Sequence, residues 1–106
     1  MRLEKQDGIQ AARARAEILR LVRLRHRAQR SRMDHVEVWR QLRGLGIEVG
    51  EFDTLTYLQD LQEGDMIDFD QERDDETNRI SLLRIRMCKR GLAVIEGRVH
   101  DDLVAL

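Results

Sequence analysis

A mainly α domain carrying one small β-hairpin is the fold class this chain predicts, and three observations predict it. A helical period runs unbroken from Ile9 to about Arg30. Two shorter helical segments follow, each closed by glycine. Two apolar stretches then flank the polar run from Asp70 to Asn78. Apolar residues recurring every three to four positions mark a helix with one face in a core, whereas short apolar stretches around a polar turn mark paired strands. The 106 residues are read as one domain, 1–106, long enough for a single modest core.

In the first helix, about 9–30, Ala11, Ala14, Ile18, Leu21 and Val22 follow the helical spacing with no breaker between them. Ile18, Leu19, Leu21, Val22 and Leu24 together are wider than the single stripe of a surface helix, so this helix is expected to bury two sides. The surplus predicts a two-fold homodimer with Ile18, Leu21 and Leu24 at its interface. Asp34 is placed to cap a second helix running to about Arg43, because its carboxylate can accept the free amide hydrogens of the next turn. Val38 and Leu42 line that helix, Val36 and Trp39 widen its face, and Gly44 is expected as its left-handed stop.

Ile47-Glu48-Val49 alternates and reads as a very short strand. The third helix, about 52–62, turns Phe52, Leu55, Leu58 and Leu61 inward and ends at Gly64, so the turn motif spans about 34–63. Met66 to Phe69 and Ile80 to Met87 form the hairpin, about 66–87. Lys89 to Glu96 closes the fold as a short helix with Leu92 and Ile95 inward and Gly97 as its stop. The tail to Leu106 carries no assignment.

This order of elements resembles the winged helix-turn-helix superfamily from about Ile18 to Gly97. The most specific stretch is Gly46-Ile47-Glu48-Val49 with Leu58, Leu61, Gly64 and Ile67, which is similar to the family's Leu-x-x-Leu-x-x-x-Gly-x-Ile pattern. Lys89-Arg90-Gly91-Leu92-Ala93-Val94-Ile95-Glu96-Gly97 is similar to the segment after the second wing strand in many bacterial and phage members. The resemblance implies a DNA-binding regulatory module whose third helix enters the major groove. Fold alone does not assign function, so the residues must carry that step.

Composition narrows the classes. Hydrophobic residues make up 42% and charged residues 37%, giving a globular apolar content under a heavily solvated surface. The aromatic residues are Trp39, Tyr57, Phe52 and Phe69, too few to line a cofactor pocket, and no cofactor is expected. Cys88 has no partner for an internal disulfide. The start Met1-Arg2-Leu3-Glu4-Lys5 lacks an apolar secretory segment, and no apolar run could span a bilayer, so a cytoplasmic protein with no membrane partner is expected. No serine stands in an elbow motif beside a histidine, and enzymatic function is not expected.

Metal sites find equally little support. Asp68, Asp70 and Glu72 resemble the start of a calcium loop, but Arg73 and Arg79 occupy the positions that need glycine and glutamate. His26, His35, His100 and Cys88 lack zinc-site spacing.

Charge is the informative feature. Residues 1–43 carry 12 Lys/Arg and 5 Asp/Glu, a balance of +7, and residues 44–106 carry 7 and 15, a balance of −8. A DNA-binding reading places Thr54, Thr56 and Gln59 against bases, with Arg27, Arg30, Arg32, Arg40 and Arg43 on the phosphates of double-stranded DNA. Glu51, Asp53, Asp60, Glu63 and Asp65 oppose it, since the third helix has no Lys or Arg and carboxylates repel the backbone. The alternative is a protein-interaction module whose acidic third helix, through Asp60 and Glu63, and acidic wing meet a basic protein partner. A third account pairs the two halves with each other.

Overall fold

The computed structural model describes the backbone of residues 2–27 and 33–106, with side chains from 8 to 25 and from 33 onward. Among these residues the elements are α1 (Arg2–Arg27), α2 (His35–Gly44), α3 (Glu51–Glu63), β1 (Ile67–Arg73), β2 (Ile80–Met87) and α4 (Lys89–Ile95), with β1 and β2 antiparallel. The chain is thus mainly α with a small β-hairpin. No helix among the described residues is long and apolar enough to cross a membrane.

The core explains the wide apolar arc of α1. Ala16, Ile18, Leu19 and Val22 are buried against Val38 and Leu42 of α2, Leu58 and Leu61 of α3, Leu82 and Ile85 of β2, Val94 of α4 and Val104 of the tail. Both sides of α1 are therefore covered by this chain's own elements, and Ile18, at 0% exposure, offers no surface to a second copy. Leu21 packs half-buried on the same core, which leaves Leu24, 66% exposed, alone of the three residues expected at a dimer interface.

Local chemistry sets the helix ends. Asp34 caps α2 as expected, its Oδ1 accepting the Glu37 N–H at 2.8 Å. Gly44 is not the left-handed stop: that conformation falls on Gly46, φ 82°, which turns the chain into the link to α3. At the end of α3 the left-handed residue is Asp65, φ 60°, rather than Gly64. Gly64 is needed for space, because a Cβ there would lie 2.9 Å from Met66 Cε and 3.1 Å from Leu103 Cδ1.

Ile47 to Val49 forms no strand. The Val49 carbonyl accepts the Trp39 indole N–H at 2.8 Å instead of a ladder bond. The outer edge of β2 is met by Met33, whose carbonyl accepts the Ile85 N–H at 3.1 Å, and by His35, whose Nδ1 accepts the Leu82 N–H at 3.2 Å. These bonds occupy two backbone donors of an edge that would otherwise stay open to pairing.

The hairpin pairs Ile67 with Met87 and Asp68 with Arg86, then resumes at Asp70 with Leu83 and runs to Arg73 with Ile80. Between these blocks Phe69 faces two residues, Arg84 and Ile85, which is a bulge, and Arg84 takes φ 53°. β1 reaches beyond the apolar Met66 to Phe69 because Gln71, Glu72 and Arg73 stand exposed outside the core, where a strand needs no inward side chain. In α4 the buried positions are Gly91 and Val94, not Leu92 and Ile95, which are half-buried. Gly97, φ 77°, follows the helix as expected.

Candidate functional site

α3 buries Thr54, Leu58 and Leu61, spaced i, i+4 and i+7. Phe52 cannot share that face with Leu61, because nine residues at 100° each place them on opposite sides of the helix. Phe52 instead projects outward at 79% exposure, a correction to the inward position expected for it. Its neighbours along the outer stripe are Thr56, Gln59 and Glu63, one turn apart.

The expected base readers are divided by this geometry. Thr54 is 0% exposed and its hydroxyl donates to the Gly50 carbonyl at 3.0 Å, so it is a core residue that cannot reach a ligand. Thr56 lies on the outer stripe, with its hydroxyl donating to the Phe52 carbonyl at 3.2 Å. Gln59 is half-buried. Of the phosphate contacts, Arg40 and Arg43 are exposed on α2, Arg43 stacking over the Trp39 ring at 5.6 Å. Arg30, Arg32 and the side chain of Arg27 lie outside the described residues.

The acidic face is only partly free. Asp60 accepts from Arg15 Nη2 at 2.8 Å, while Arg15 Nη1 donates to the Leu103 carbonyl at 3.1 Å and the guanidinium sits 5.6 Å from the Tyr57 ring centre. Asp60 is thus held by α1, whereas Glu63 stands exposed. Along the hairpin, hydrogen bonds from the Gln62 side chain and the Phe69 backbone, with Arg86 beside them, hold the Asp68 carboxyl below its ordinary range. Arg84 lowers Asp70 in the same way, and the backbone N–H groups of Glu76 and Thr77 lower Asp74. The hairpin acids are therefore ionised at neutral pH.

An open groove of about 300 Å³ runs between the start of α2, the start of α3 and the start of β2. Val36, Phe52, Leu55 and Ile80 line it with apolar surface, beside His35, Glu51, Arg79 and Ser81. His35 is 3% exposed and uses both ring nitrogens, Nδ1 accepting from Leu82 and Nε2 lying 2.9 Å from Glu51 Oε1. With Nδ1 an acceptor, the proton sits on Nε2 and is donated to Glu51. No ring nitrogen remains to activate Ser81 or to bind a metal. Among the described residues no group of three or more His, Cys, Asp and Glu side chains is placed to hold a metal ion.

Sequence reasoning missed this groove because Phe52 was counted as core. A signal existed: Phe52, Leu55, Leu58 and Leu61 step by exactly three residues, and a helix drifts about 60° at each such step. Four residues on that spacing cannot all face inward. Comparison with protein-family models, with curated proteins and with solved structures found no match to this chain.

Proposed function

We propose that this chain is a protein-interaction module of winged-helix shape, which meets a basic protein partner through the outer face of α3 and the hairpin. The observation that carries the reading is the makeup of that face. It presents Phe52 at 79% exposure, Glu63 and the hairpin acids, and α3 contributes no Lys or Arg. A winged helix that reads DNA needs the opposite, since phosphate contacts by basic residues supply much of the affinity. Depletion of cations around an exposed aromatic anchor is the pattern of a protein-binding surface.

A second reading, duplex DNA, keeps one supporting observation. Arg40 and Arg43 stand exposed on α2 with no ion-pair partner among the described residues. That surface is apart from Thr56 and Gln59, so DNA held there would meet phosphates without base readers.

Salt-titrated binding separates the two. An arginine-rich peptide and mixed-sequence duplex DNA are each titrated with wild-type protein and with Glu63→Lys/Glu76→Lys. The proposal expects peptide binding that the charge reversal weakens about ten-fold, a loss of roughly 1.4 kcal/mol. Steep, salt-dependent binding of wild-type protein to DNA, with no peptide binding, would overturn it.

A further inference from the structure

We infer that the groove between α2, α3 and β2 is the anchor site for a partner segment that inserts an aliphatic side chain flanked by arginine or lysine. The inference rests on the interaction reading above and gives it a place and a chemistry. Val36, Phe52, Leu55 and Ile80 provide an apolar floor and wall within about 300 Å³, room for one or two inserted side chains rather than a folded surface. Phe52, the most exposed large apolar residue described, stands at its rim. Burying such an aromatic against an aliphatic anchor is how small interfaces concentrate their affinity.

Charge selects the occupant. Glu51 lines the groove and Asp53 follows Phe52 on the same turn, while the hairpin turn at the other end carries Asp74, Asp75 and Glu76. Arg79 is the counter-charge within the lining. The net sign around the apolar floor is negative, which favours a cationic segment and rejects a phosphate backbone. His35 supports the arrangement from beneath: its bonds to Leu82 and Glu51 tie β2 and α3 to the start of α2, so the three walls hold their spacing before a ligand arrives.

The test uses two short synthetic peptides, one arginine-rich with leucines at i and i+4, the other with both leucines replaced by serine. Each is titrated by fluorescence anisotropy against wild-type protein, Phe52→Ala and Leu55→Ala. Because Phe52 is exposed, Phe52→Ala keeps the fold, checked by circular dichroism. The expected result is that wild-type protein prefers the leucine peptide about ten-fold and that Phe52→Ala abolishes this preference while leaving serine-peptide binding unchanged. If wild-type protein binds both peptides alike, the groove is not the anchor site, although the acidic face still serves basic partners. If neither peptide binds at low salt, the interaction reading fails as well. If wild-type protein self-associates in sedimentation experiments and Phe52→Ala does not, the occupant is a second copy, and the partner-segment inference is overturned.

Discussion

Gly91 shows how one side chain too many would disturb the packing. A Cβ built there lies 2.0 Å from the Met66 carbonyl oxygen, a backbone atom fixed by its bond to the Cys88 N–H. Gly91→Ala is expected to cost about 3 kcal/mol, at the upper end for overpacking, and a urea midpoint unchanged from wild type would refute it. Asp101 governs acid sensitivity. The Leu103 backbone N–H, then Arg90, hold its carboxyl below the usual aspartate range. A lowered folded value means that the contribution is complete above the unfolded aspartate range and is lost as pH falls through the folded value. Asp101→Asn should lower stability at neutral pH and flatten the acid limb of a stability-versus-pH curve. Parallel curves for variant and wild type would count against this account.

At the scale of elements, the bulge in the hairpin puts Arg84 at φ 53°, where a residue with a Cβ pays about 1 kcal/mol. Its ion pair with Asp70 joins two exposed side chains and returns little. Arg84→Gly should therefore leave thermal stability level or raised, whereas Arg84→Val, β-branched in the same conformation, should lower it by about 1–2 kcal/mol. A melting order with valine above glycine would contradict the bulge geometry. The elements themselves were largely legible: the Asp34 cap, the glycine-bounded α3 and the two apolar stretches of the hairpin all announce local conformations. Orientation was less so. Whether Phe52 faces in or out depends on which three residues of α3 the core selects. Thr54 wins an inward place because its methyl packs there while its hydroxyl bonds the backbone of its own helix. The edge contact from Met33 was invisible, because it is one long-range bond with no side-chain pattern.

For the whole molecule, the +7 and −8 halves of the sequence meet in space. Arg15 pairs with Asp60 across α1 and α3, and Arg23 approaches Glu96 at 4.0 Å. Arg25 pairs instead with Glu37 inside the basic half. Part of the charge asymmetry is thus internal cohesion, which a one-dimensional tally cannot separate from a binding surface. Arg15→Ala removes the partner of Asp60 and of the Leu103 carbonyl, and a loss of about 1–3 kcal/mol is expected because both groups are largely shielded. Asp60→Asn should cost less than Arg15→Ala, since Arg15 keeps its bond to Leu103; equal losses measured by denaturant titration would place the whole effect in the ion pair.

The clasp between α1 and the tail also sets an order of events. Arg15 meets Leu103 across 88 positions of sequence, and Ala12 accepts a bond from Ala105. During synthesis α1 emerges first, with Ile18, Leu19 and Val22 uncovered until the hairpin, α4 and the tail follow. A nascent chain therefore carries an arginine-rich amphipathic helix with an open apolar side for most of its translation, the interval in which chaperone capture or misassociation competes with folding.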